Sequence, residues 1–301
     1  MRTFDPDALE CLASIVEEGG FERAATRLSI TQSAVSQRLR ALEAQVGTVL
    51  LVRSRPVKPT SAGRLLIKHA MQMRLLRADL ETDLHDLTPG SGAANEDDRI
   101  SIAVNADSVA TWALPALDPL VQAGLPLEII TDDQDFTHEW LREGQVLGCV
   151  TTLKQALRGC KVLPLGAMRY VAVASHAYAK AHCPQGLDAH NFRHVPFIAF
   201  NRKDDLPSDF VSRALGLRAV TLIQRFVPSL EGQVSAALAG WGVGVLPEIR
   251  VRSLLASGEL VNLAPQSDLP IDLYWHCWNL DSAVIDSLTT ALSDAAKQAL
   301  G

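Results

Sequence analysis

From residue 61 to residue 87 the chain has no proline and a single glycine, Gly63, and apolar residues return every three or four positions. At 1.5 Å per residue such a run predicts a helix about 40 Å long. Pro89-Gly90-Ser91-Gly92 and Asn95-Glu96-Asp97-Asp98 follow it, the one clear linker of the sequence. The helix therefore divides the chain into a short segment, 1–60, a helix with its linker, 61–98, and a long segment, 99–301. Leu66, Ala70, Met73, Arg77, Leu80, Leu84 and Leu87 alternate spacings of four and three, a coiled-coil seam interrupted at Arg77. The expectation is a helix that pairs two copies of the chain, aided by contacts elsewhere.

The short segment reads as three helices and a ribbon. Ala8, Leu9, Leu12, Ile15 and Val16 form one apolar stripe over 7–18, which ends at Gly19-Gly20. A second helix is predicted over 21–28. A third, over 32–45, is capped by Thr31 and closed near Gly47. The turn between them, Ser29-Ile30, lacks the frequent glycine. In the third helix Val35, Leu39, Leu42 and Val46 share a face, and Gln32, Ser33, Ser36, Gln37 and Arg40 occupy the opposite one. Short hydroxyls, amides and a guanidinium suit base edges in a major groove, where a solvated helix would carry Glu and Lys. The stretch 49–60 reads as a ribbon whose cations, Arg53, Arg55 and Lys58, can reach phosphate, and whose prolines stop it growing into a sheet.

Charge singles out the same region. The chain carries a net −6, yet residues 23–64 hold eight basic residues against one acid, Glu43. One basic segment in an acidic protein points to a polyanion partner for that segment. With 48% hydrophobic residues the chain can bury a real core. Its apolar runs fall far short of the ~20 residues a membrane helix needs. Three acids within residues 1–10 exclude a signal-peptide reading, and five scattered cysteines without a C-x-x-C suggest reduced thiols, so a cytoplasmic location is expected.

Beyond residue 99, strand candidates (100–104, 127–131, 147–150, 170–174, 196–200, 221–226, 242–246) alternate with helix candidates (108–123, 136–143, 230–240, 283–299). This is an α/β pattern with mostly parallel sheet, in which ligands bind at the carboxyl ends of strands. The loops at those ends carry Asn105, Asp107 and Ser108, then Asp132, Asp133 and Asp135, then Thr151 and Thr152, and finally Glu231. Hydroxyls and a helix N-terminus at Ser108 can hold a carboxylate, the aspartates a distant cation, and Glu231 an α-ammonium. A basic amino acid fits that set. For each loop alone, turn or cap chemistry is the plainer account. His190 and His194 have a zinc-like spacing, but no paired cysteine motif accompanies them, so neither metal nor cofactor is expected. No nucleophile–base pair, P-loop or dinucleotide fingerprint occurs, and Cys149 reads as a core residue.

The pattern Arg23-Ala24-Ala25, Leu28, Thr31-Gln32-Ser33-Ala34-Val35-Ser36, Leu39, Leu42-Glu43 and Gly47, followed by Pro59-Thr60-Ser61-Ala62-Gly63, resembles the winged helix-turn-helix of LysR-type transcriptional regulators. The resemblance runs the whole length. It implies an N-terminal winged helix-turn-helix, a long linker helix and a two-lobed effector domain similar to periplasmic binding proteins. Lobe I would span about 99–168 and 271–301, and lobe II about 169–270. The wing 52–56 and the stretches 105–112, 132–135, 148–152, 164–170 and 200–206 resemble more narrowly the ArgP/LysG group, regulators of basic amino acid export. Phe136 stands where that group has a histidine.

The resemblance implies a DNA-binding regulator that senses lysine or arginine and controls an exporter or an amino acid metabolism gene. Implied partners are operator DNA, RNA polymerase, and further copies forming a dimer and then a tetramer. Ser33, Ser36, Gln37 and Arg40 are expected to read bases. Thr31, Arg53, Arg55 and Lys58 are expected to position the DNA backbone, with Arg27 and Gln32 also in the interface. A chromosome-organising or replication-control DNA binder is the alternative; an enzyme is not expected.

Overall fold

The computed structural model describes residues 3–52, 54–87, 99–132, 137–218 and 220–301. Helices α1 (Pro6–Glu17), α2 (Phe21–Arg27) and α3 (Gln32–Val46) form the N-terminal domain. Asp5 caps α1 through the Asp7 N–H, and Pro6 opens it where an amide N–H would go unused. Thr31 Oγ1 caps α3 by accepting from the Ala34 N–H at 3.2 Å, and Gly47 ends it in the left-handed region. Ser29 takes a φ of 53°, filling without glycine the turn position that glycine usually occupies. Val35, Leu39 and Leu42 bury against Leu9, Leu12, Ile15, Ala24 and Ala25. The wing is a minimal antiparallel pair, β1 (Leu51–Val52) with β2 (Lys58–Pro59).

Helix α4 (Ser61–Leu87) has the predicted extent, and part of its apolar face packs within the chain. Gly63 lets it start against the wing, since a Cβ there would lie 2.1 Å from the Leu50 carbonyl oxygen. Ile67 and Ala70 are buried in the winged-helix core, and Leu66 and Met73 pack on it. The first half of the predicted pairing seam is therefore spent on the chain's own domain, which would otherwise lack a third wall. Leu75 joins the core of the following domain, and Leu65, Leu76 and Leu80 are the exposed large apolar side chains among the described residues of the helix. The Leu84 and Leu87 side chains lie outside the described residues.

The long segment alternates β3 (Ile100–Asn105), α5 (Ala106–Ser108), a π-helical turn (Val109–Ala113), α6 (Leu114–Gln122), β4 (Leu127–Asp132), α7 (Thr137–Arg142), β5 (Gly148–Thr151) and β6 (Cys160–Ser175). It continues with α8 (His176–His182), β7 (Pro196–Ala199), α9 (Leu206–Leu215), β8 (Ile223–Phe226), α10 (Leu230–Leu238), β9 (Val243–Pro247), α11 (Glu248–Ser257), β10 (Leu260–Asn262), β11 (Leu269–Trp278) and α12 (Ala283–Ala299). The sheet order is β4-β3-β5-β11-β6-β9-β7-β8, with β10 on β6.

Two parallel sets, β4-β3-β5 and β9-β7-β8, thus flank one antiparallel pair, β6 with β11. That pair threads both lobes, and its register slips between Leu273 and Tyr274. The sequence reading missed most of this seam: it held no strand at β11 and began β6 ten residues late. Pro164, Gly166 and Pro270 break the strand signal there, and the pairing that overrides them is remote in sequence. The lobe I core gathers Ile102, Trp112, Val150, Trp275 and Leu288, all buried.

Candidate DNA interface and effector cleft

The wing, α3 and the start of α2 enclose a groove of about 920 Å³. It brings together Gln32, Ser36, Arg40 and Arg55, four residues chosen from sequence, and adds Arg23 and Ser54. Ser33 and Gln37 are exposed on the same helix. Ser33 Oγ lies 2.9 Å from the Thr31 hydroxyl that caps α3, so Thr31 fixes the helix start while facing outward. Arg53 lies outside the described residues.

Two sequence-chosen cations sit elsewhere. Arg27 pairs with Glu17 and with Glu18, the latter at 3.4 Å, and its side chain is largely covered. Its charge ties α2 to the end of α1, a partnership with two acids too far upstream to register in the sequence. Lys58 is exposed on the face of the wing away from the groove, toward the effector domain.

In lobe I the carboxyl ends of β3, β4 and β5 deliver Asn105, Asp132 and Thr151 side by side, with Asn105 and Asp132 register partners. Asn105 and Ser108 are buried, and neither Asn105 Oδ1 nor Ser108 Oγ has a hydrogen-bond partner. Such orphans cost roughly 1–3 kcal/mol each unless something else satisfies them. They stand at the start of the helical run whose next turn is the π-helical Val109–Ala113, an irregularity frequent at functional sites. Thr151 is fully buried, and its Oγ1 accepts from the Leu153 N–H at 3.4 Å.

The carboxylates are held by neighbours that sequence reasoning missed. The Tyr170 hydroxyl, on the inter-lobe strand β6, donates to Asp107 Oδ2 at 2.6 Å. Trp140 Nε1 donates to Asp132 Oδ2 at 3.0 Å. A tyrosine in an apolar strand and a tryptophan in a short helix both read as core, so neither carried a sequence signal. His276 bonds the Leu153 carbonyl at 2.6 Å through Nε2, and burial pushes its pKa down. Asp133 and Asp135 lie outside the described residues, as does Phe136.

Glu231 has a partner that the sequence did not announce. It is exposed at the start of α10 and forms a bidentate pair with Arg250, at 2.8 and 2.5 Å. The Arg250 hydrogen bonds hold its carboxyl below the usual range. Burial raises the Cys149 thiol, consistent with a core role. Among the described residues, no cluster of three His, Cys, Asp or Glu is placed to hold a metal ion. No helix among them is long and apolar enough to cross a membrane.

A winged helix with a polar recognition face, joined by one long helix to a two-lobed domain with a polar cleft, is the architecture of a DNA-binding transcriptional regulator. Residues 6–64 match the family described as "Bacterial regulatory helix-turn-helix protein, lysR family", and residues 93–297 match the LysR substrate binding domain. The chain belongs to the LysR family of transcriptional regulators. It is 42% identical over 292 residues to the regulator LysG of Mycobacterium tuberculosis, covering 97% of this chain and 93% of that one. It is 41% identical over 293 residues to ArgP of Pseudomonas aeruginosa, covering 97% and 96%. Among solved structures it resembles ArgP from M. tuberculosis (TM-score 0.85, 41% identity, 98% of each chain). It also resembles full-length LysG from Corynebacterium glutamicum with bound effector Arg (TM-score 0.76, 36% identity, 98% of this chain and 99% of that one).

Proposed function

We propose that the chain senses a basic amino acid, arginine or lysine, between its lobes and transmits occupancy to operator DNA. The observation that carries this is the pair of buried, unpartnered oxygens on Asn105 and Ser108, set beside two carboxylates, Asp107 and Asp132. Ser108, the helical N–H groups after Asn105, and Thr151 or Thr152 receive the α-carboxylate. With Glu231 withdrawn, Asp107 takes the α-ammonium. Asp132, with Asp133 or Asp135, takes the side-chain cation. The arginine-bound Corynebacterium LysG supports the ligand class.

On the DNA side, Ser33, Ser36, Gln37 and Arg40 read base edges, with Gln32 beside them. Thr31, Arg53, Arg55 and Lys58 contact the DNA backbone. The chain acts as an oligomer, a dimer of dimers, with RNA polymerase as a partner at an exporter or amino acid metabolism promoter. Calorimetry of the full chain with arginine, lysine and histidine is the test. Norleucine, which lacks the side-chain cation, should bind at least about 10-fold more weakly than lysine, because a carboxylate is then left unpaired. No heat with any of the three amino acids at millimolar concentration would retire the sensing role and leave DNA binding standing.

A further inference from the structure

A hollow of about 1020 Å³ lies between the effector domain and the winged domain. One wall belongs to the effector domain, with Asp132 and Trp140 from lobe I and residues 201–203 from lobe II. The opposite wall is the chain's own wing, residues 56–59, with Arg64 from the first turn of α4. Asp132 is the register partner of Asn105, so this hollow borders the residues assigned to the effector.

The arrangement is fastened on both sides. Arg64 Nη1 lies 3.9 Å from Glu143 Oε1, and Lys68 Nζ donates to the Arg158 carbonyl at 3.4 Å. Gly144 packs so closely on α4 that a Cβ there would lie 2.5 Å from Lys68 Cβ. On the winged side, Arg74 grips Glu10 at 2.5 Å and Glu17 at 3.1 Å.

Charge explains why this wall suits the wing. Asp132, Glu139 and Glu143 line the hollow opposite Lys58 and Arg64. A wing inserted in DNA is flanked by phosphates, and these acids would face them within a screening length of about 8–10 Å. The wing therefore meets either DNA phosphates or the acidic mouth, not both. A cationic effector arriving at Asp132 also adds positive charge beside Lys58, Arg64, Arg202 and Lys203, which loosens the wing's seat.

We infer that the mouth of the effector cleft is a docking surface for the chain's own wing, so that the wing gates effector access and DNA competes with the cleft for it. This rests on the sensing role proposed above. Coupling is then reciprocal, since whatever lifts the wing for DNA opens the cleft, and the reverse.

The experiment is stopped-flow arginine binding to the full chain, followed by tryptophan fluorescence at about 0.15 M salt, where the charges facing across the hollow are not screened out, with Kd from calorimetry. Glu139→Gln with Glu143→Gln, and separately Arg64→Ser, should each raise the arginine dissociation rate at least fivefold while Kd becomes no weaker. A lost effector contact would instead weaken Kd in step with the faster dissociation, and that outcome overturns the gate. An unchanged dissociation rate in both variants overturns it as well. Absence of arginine and lysine binding in the unmodified chain is a separate result, which removes the sensing role and the gate together.

Discussion

Replacing Tyr170 by Phe removes a single oxygen and should show whether Asp107 holds the effector's α-ammonium. The 2.6 Å bond from the Tyr170 hydroxyl to Asp107 Oδ2 lies in the short range of charge-assisted O–H···O⁻ pairs. Hydrogen bonds to charged groups contribute about 1.5–3 kcal/mol. Asp107 has further interactions, so the carboxylate keeps part of its orientation and the lower end applies. At about 1.4 kcal/mol per tenfold, arginine should bind about 10-fold more weakly to the variant. The control is 5-guanidinopentanoic acid, which keeps the carboxylate and guanidinium of arginine but has no α-ammonium. If Asp107 serves the ammonium, Tyr170→Phe should change binding of this analogue less than twofold. Calorimetry of both proteins with both ligands closes a cycle whose coupling term isolates that one contact. Equal weakening for arginine and the analogue would refute the assignment and leave Tyr170 as a packing residue alone.

Other expectations follow from the same structure. Ser36→Ala should cost about 1–3 kcal/mol on cognate DNA and relax preference at one base position, whereas Arg55→Ala should weaken all sequences and reduce the salt slope by about one; selective enrichment and salt titrations by anisotropy distinguish them. Leu76→Asp or Leu80→Asp, on the exposed stripe, should lower the oligomeric state in sedimentation with the fold intact, while Ala70→Asp should destabilise the winged domain itself because Ala70 is buried in its core. His276 has its folded pKa pushed down by burial, so the unfolded chain binds the extra proton. Stability should therefore rise with pH up to about 6.5 and be lost on acidification below it, a slope that His276→Gln should flatten in denaturant titrations at pH 5 and 7.

Local signals made the winged domain legible almost residue by residue. Thr31 and Gly47 punctuate α3, and the stripe Val35, Leu39, Leu42 sits where its spacing places it. The long helix and α12 were equally plain, being uninterrupted periodic runs. What escaped reading depends on partners distant along the chain. Nothing near Glu231 announces Arg250, and nothing near Arg27 separates a DNA contact from a tie to Glu17 and Glu18. Strand β11 holds an internal proline and owes its conformation to β5 and β6 on either side. The first half of the predicted α4 seam, Leu66, Ala70 and Met73, went to the chain's own winged core because periodicity shows that a helix has an apolar face, not which neighbour claims it.

Helix α4 supplies Ile67 and Ala70 to one core and Leu75 to another within nine residues. Excision or grafting must respect that shared tenancy. A winged fragment cut after residue 60 would surrender the wall that covers Leu9, Leu12 and Leu50, and should be recovered as aggregate. A fragment continued to residue 87 keeps that wall but bares Leu75, a leucine its solvent-facing surface would then have to tolerate. Chimeras that pair this reading head with a foreign sensor are accordingly best joined in the stretch 88–98, where the whole helix travels with the head and only the seat for Leu75 has to be rebuilt.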